Sequence, residues 1–135
     1  MTPGPVTELA LERGRALFNE GCFFEAHEAW EAAWLHEQGE LRLLLQGLIQ
    51  VAAGYVKAFQ DPRPAGSARL LGAGLAKLAG LQDRLAGLAL AEFRERVGRS
   101  LLEVRRWAAG ETPGLDRALA PRLQRTPRSR PARYP

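Results

Sequence analysis

Glu40-Leu-Arg-Leu-Leu-Leu-Gln-Gly-Leu-Ile-Gln-Val-Ala-Ala-Gly-Tyr-Val-Lys-Ala-Phe59 is apolar almost all the way round when wound as a helix. Leu41, Leu43 to Leu45, Leu48, Ile49, Val51 to Ala53, Tyr55, Val56, Ala58 and Phe59 leave only a narrow polar stripe, the pattern of a helix with protein on nearly every side. The stretch predicts a buried central helix over residues 40–59 and an all-α, compact bundle of about five helices around it. Asp61-Pro62-Arg63-Pro64 ends it, because proline has no N–H to donate and pushes the residue before it out of helical dihedrals. Composition agrees: Leu and Ala dominate, with only one Ile and five Val. A chain of 135 residues supports one core of ordinary size, assigned here to a bundle domain over residues 1–112.

Just upstream, Phe18-Asn-Glu-Gly-Cys-Phe-Phe-Glu-Ala-His-Glu-Ala-Trp-Glu-Ala-Ala-Trp34 concentrates aromatics, one of two histidines and four carboxylates in a short window. A helix from about Cys22 to Glu37 places Phe23, Ala26, Trp30 and Ala33 on one face, with Phe24, His27, Glu28 and Glu31 as the adjacent stripe. Large aromatics at this spacing belong to a core, and Cys22 packs as a small hydrophobe.

The stripe holds the candidate chemistry. His27 and Glu31 are one turn apart, geometry that a metal or a proton relay can use, and Glu28 flanks them. If helices 22–37 and 40–59 form an antiparallel hairpin, residues whose numbers sum to about 77 stand opposite, so His27 faces Gln50 and Glu31 faces Gln46. Burying an amide is unfavourable by a few kcal/mol unless it finds a partner. The pattern therefore predicts a polar pocket of His27, Glu28, Glu31, Gln46 and Gln50, with Lys57 extending the stripe towards Glu20. Such clusters more often fix packing than perform reactions. The chemical alternative is a metal-dependent hydrolase with Glu28 or Glu31 as catalytic base and His27 and Glu31 as metal ligands. His27 and Glu31 make only two ligands, and His36 falls on the opposite side of the helix. No cofactor is predicted, and a divalent metal is left to that alternative.

Elsewhere the elements follow ordinary signals. Thr7 reads as the cap of a first helix bearing Leu9, Leu11, Ala16 and Leu17 on one face, with Gly21 closing its C-terminus. A helix over about 65–79 carries Leu71, Leu75 and Leu78 towards the core, and residues 80–90 read as a loop or a weak helical turn. Phe93, Val97, Leu101, Val104 and Ala108 define a helix from about 91 to 109. Thr112-Pro113 reads as the start of a short sixth piece.

Residues 113–135 form a basic tail, with six arginines against Asp116 alone; it holds +5, leaving −1 on the preceding residues from a total of +4. The tail is expected to pack on the body or on a neighbour, and it offers nucleic acid a means of phosphate neutralisation. Cys22 is the only cysteine, which fits a reducing cytoplasm. Met-Thr-Pro-Gly-Pro lacks the basic and apolar regions of a leader, and no apolar run reaches the roughly 18 residues of a membrane span.

Two resemblances rest on these residues. Gly21, Phe23, Ala26, Trp30 and Ala33 resemble a single tetratricopeptide unit, without a second copy about 34 residues on. Phe18, Gly21, Phe24-Glu25-Ala26-His27-Glu28, Trp30-Glu31 and Trp34, followed by Gln46-Gly47-Leu48-Ile49-Gln50 and Ala53, resemble the signature of a family of small prokaryotic proteins filed as domain of unknown function 309. That resemblance implies an all-helical bundle and carries no established activity. It also implies a histidine near position 57, where this chain has Lys57. The leading functional expectation is a small cytoplasmic helical scaffold or interaction module, as a homo-oligomer or with a protein partner.

Overall fold

The computed structural model describes residues 2–127. Five helices dominate it: α1 (Pro5–Asn19), α2 (Phe23–Trp34), α3 (Gly39–Phe59), α4 (Pro64–Ala79) and α5 (Leu90–Ala108). Each packs against its neighbour in sequence, so α3 lies between α2 and α4 with ten buried side chains or glycines along it. The expected all-α bundle around residues 40–59 is the architecture found.

Aromatics close the bundle. The Phe18 ring on α1 meets Phe23 at 5.0 Å, Trp30 at 5.9 Å, Tyr55 at 5.8 Å and Phe93 at 5.6 Å between centroids, which ties α1 to α2, α3 and α5. Offset and edge-on pairs of this kind add to the apolar burial. Trp30 is fully buried, and its indole fills the space beside Gly14 where any Cβ would collide with it. Its Nε1 donates to the Leu11 carbonyl at 3.3 Å, so the tryptophan's polar atom is satisfied.

Local signals explain most boundaries. α1 ends in a Schellman motif: Gly21 takes φ +83°, Cys22 N donates to Leu17 O at 2.9 Å, and Gly21 N to Phe18 O at 3.0 Å. Its start differs from expectation. Gly4 is the N-cap and Pro5 opens the helix, since proline's fixed φ suits a first turn that needs no donor. Thr7 is instead buried inside that turn, its hydroxyl donating to the Glu37 carboxylate. α2 stops at Trp34, three residues before the expected end.

Two segments differ from the sequence expectation. Residues 80–90 contain a β-hairpin, β1 (Arg84–Leu85) paired with β2 (Leu88–Ala89), turning through Ala86 (φ +53°) and Gly87 (φ +77°). Two successive left-handed residues suit the strand twist, but alanine at the first of them hides the usual Asn-Gly cue. Thr112-Pro113 begins no helix; the short 3₁₀ turn is Arg117–Leu119, capped by Asp116 Oδ1 accepting from Ala118 N at 2.9 Å.

The chain after α5 lies along the body as a strap. Pro121 and Leu123 are buried, Asn19 grips Leu123 through both backbone groups at 2.8 and 3.1 Å, and Ala89 N donates to Gln124 O at 2.9 Å. Arg128, Arg130 and Arg133 of the basic tail lie outside the described residues.

Candidate functional site

The Schellman turn fixes how α2 meets α1. With Trp30 and Ala26 facing inward and Glu25, Glu28, Ala29 and Ala32 turned to the groove with α1, the stripe of Phe24, His27 and Glu31 occupies the opposite flank of α2. There His27 Nε2 sits 3.1 Å from Glu31 Oε2, their side chains 25% and 50% exposed. The half-exposed Phe24 ring stacks on the imidazole, centroids 5.9 Å apart and planes 30° apart. Further along, the Arg42 guanidinium lies 4.2 Å over the Trp34 ring and donates to the Trp34 and Glu37 carbonyls at 3.4 and 3.3 Å. A cation thus serves the end of α2, where carbonyls lack intrahelical partners.

The α2/α3 seam is polar without being joined. Gln46 and Gln50 are half-buried on α3, but Gln50 Oε1, His27 Nδ1 and Trp34 Nε1 are buried with no hydrogen-bond partner among the described residues. His27 and Glu31 are brought together; Glu28 is not with them. One position round the helix, Glu28 lines a separate groove against α1. Lys57 pairs with Asp61 one turn on, at 2.9 Å, instead of reaching Glu20. With Arg63 also 3.2 Å away, hydrogen bonds from Lys57 and then Arg63 hold the Asp61 carboxyl below the usual carboxylate range. As a metal site the donor set falls short: among the described residues no three His, Cys, Asp or Glu side chains gather into a group that could hold an ion.

A second surface was not anticipated. On α1 the buried positions are Thr7, Leu11, Gly14 and Phe18; Leu9 and Ala16, expected beside Leu11, face away. Val6 and Leu9 are 73% and 71% exposed. With Ala10, Arg13 and Leu17 they form one wall of a groove of about 570 Å³, whose other wall is Glu25, Glu28, Ala29 and Ala32 of α2. The signal was present in the sequence, since 6, 9, 10, 13 and 17 repeat at helical spacing just as 7, 11, 14 and 18 do. Two interleaved stripes blur into one when apolar residues are only counted.

Of the tail's arginines, Arg117 stacks 4.8 Å over Phe59 and Arg125 approaches Glu12 at 3.8 Å. No described helix is long and apolar enough to cross a membrane.

Residues 11–70 match the family model described as Domain of unknown function (DUF309). The DUF309 span thus runs from the second half of α1 through the start of α4, taking in the Phe18 cluster and the α2/α3 seam. Val6 and Leu9, the hairpin, α5 and the strap lie beyond it. No curated protein matches the chain.

Proposed function

We propose that the protein is a cytoplasmic helical interaction module that docks a protein partner on its α1/α2 face. One observation carries this reading: Val6 and Leu9 stand 73% and 71% exposed in a groove that continues over Ala10, Leu17, Ala29 and Ala32. Contiguous exposed apolar surface with a polar rim is the usual mark of an association site. The rim states the partner's chemistry, because Arg13 asks for a carboxylate on one side and Glu25 and Glu28 ask for a cation on the other. The matching surface is a helix or helix pair with an apolar strip between those charges.

The test uses the full chain in extract of its producing cell. Wild-type protein should elute from a sizing column above its monomer mass of 14.8 kDa, and the Val6→Ser/Leu9→Ser variant should elute as a monomer with an unchanged melting temperature. Wild type that elutes as a monomer, or a complex indifferent to the two serines, sinks the reading.

A further inference from the structure

We infer that the partner on the α1/α2 face is a second copy of this chain, related by a two-fold axis running parallel to the two helices. The inference rests on the reading of that face as a docking surface, and adds who binds there and how.

The two walls of the groove differ in kind. At helical positions i, i+3, i+4 and i+7, α1 presents Val6, Leu9, Ala10 and Arg13, which are large apolar groups followed by a cation. At the same spacing α2 presents Glu25, Glu28, Ala29 and Ala32, two anions followed by small apolar groups. None of Arg13, Glu25 and Glu28 has an ion-pair partner among the described residues. One wall therefore complements the other in both volume and charge, and the chain carries both.

A flat pair of antiparallel helices has two natural two-fold arrangements. With the axis across the helices, α1 lies antiparallel on the partner's α1 and α2 on the partner's α2, so the wall of bulky groups and Arg13 meets only its own kind and the wall of small groups, Glu25 and Glu28 only its own. With the axis along them, α1 lies on the partner's α2. The intrachain contacts fix the level: Leu11 meets Trp30, and Phe18 meets Phe23, so residues whose numbers sum to a little over 40 stand side by side. Leu9 then seats on the partner's Ala32, and Arg13 comes level with the partner's Glu28, twice over by symmetry. Only this second arrangement unites opposite charges and fits bulk to space.

The face is small. From Val6 to Leu17 α1 runs about 18 Å at 1.5 Å per residue, which makes the patch smaller than the roughly 800 Å² per partner of a standard interface. The dimer should therefore form reversibly between roughly 1 μM and 1 mM.

Sedimentation equilibrium on purified full-length protein across that range tests it. Wild type should pass from monomer to dimer. Arg13→Glu and Glu28→Arg should each weaken association about tenfold or more, and the double variant should return to within a few-fold of wild type. Wild type that stays monomeric, or a double variant no better than the singles, overturns the inference. A dimer lost in Val6→Ser/Leu9→Ser but insensitive to the charge swaps overturns the arrangement while leaving the docking face in place. A monomer in purified form that still elutes in a Leu9-dependent complex from extract overturns the second copy and keeps the module.

Discussion

Helix α3 packs most extensively on two neighbours, α4 and α2, and it meets them in opposite ways. Against α4 it is stripped to glycine: a Cβ on Gly74 would lie 2.7 Å from Val51 Cγ2 and 2.8 Å from the Gly47 carbonyl oxygen, and one on Gly54 would lie 2.7 Å from Leu71 Cδ2. The one polar crossing is satisfied, with buried Ser67 donating to Gly54 O at 2.8 Å. On the α2 side it carries the half-buried Gln46 and Gln50, and Gln50 Oε1, like His27 Nδ1 and Trp34 Nε1 of α2, is buried without a hydrogen-bond partner among the described residues. The contrast separates a contact that specifies the fold from one that the fold merely tolerates. A dry, backbone-close interface has few alternatives, because shifting either helix closes the gap between main chains.

The largest effect should come from filling the tight side. Gly74→Ala forces Val51 or a main chain to move, and overpacking of this kind destabilises by about 3 kcal/mol, offset by about 1 kcal/mol of better helix propensity. A net loss of about 2 kcal/mol in denaturant unfolding is expected. Gly98→Ala supplies the reference: on α5 a Cβ there meets nothing within 4 Å, so the same substitution should stabilise by up to about 1 kcal/mol. Equal responses at the two sites would erase the distinction drawn for α3/α4.

A smaller loss should follow where α3 turns towards α5. Fully buried Tyr55 donates to Ser100 Oγ at 2.8 Å, and Ser100 donates on to Leu119 O at 3.0 Å, fastening the strap. Burial keeps the phenol above its ordinary pKa, so it remains a donor throughout the physiological range. Tyr55→Phe leaves Ser100 its bond to Leu119 and removes one buried hydrogen bond, about 1 kcal/mol. A change near zero would mean that the strap holds without this chain of hydroxyls.

How much of this was legible in the sequence follows the same division. The apolar circumference of residues 40–59 and the stripe through Phe23, Ala26, Trp30 and Ala33 announced α2 and α3, because burial on many sides leaves no freedom in residue type. Gly47 and Gly54 looked neutral in the pattern, since a missing side chain signals nothing until the facing helix is in place. The one-turn spacing of His27 and Glu31 was legible, and the two side chains do meet at 3.1 Å. The pattern could not tell that Glu28, one residue on, belongs to another groove, nor that the expected histidine–glutamine bonds are absent. Successive helix positions lie about 100° apart, enough to carry Glu28 off the His27 side of α2 and into the groove with α1.

Gln50→Leu examines that seam directly. Were Gln50 tied to His27, its loss would orphan a partner and destabilise; with Oε1 already unpartnered, leucine removes a buried acceptor that nothing satisfies. The expected result is no loss, or a gain of up to about 1 kcal/mol. A loss above about 1 kcal/mol would restore the joined network and make the two sides of α3 alike.

The smallest effect lies in acid, and it extends the contrast to the strap. Arg15 hydrogen-bonds Glu12 and reaches Leu123 O at 3.3 Å, so this pair helps hold the strap where the seam's polar atoms hold nothing. The hydrogen bond from Arg15, with smaller help from the charges of Arg15 and Arg125, keeps the Glu12 carboxyl below its ordinary value of 4.5. A carboxyl lowered on folding contributes stability that is fully present above the unfolded value and fades as pH falls through the folded one. Because the Glu12 side chain is 42% exposed, solvent and salt screen the pair to a few tenths of a kcal/mol. Wild type should thus exceed Glu12→Gln by that small margin at pH 6 to 7, and the two should converge as pH drops below the lowered value. A gap that persists undiminished in acid would assign the difference to packing of the side chain, leaving Arg15's bond to Leu123 O to hold the strap without help from the carboxylate.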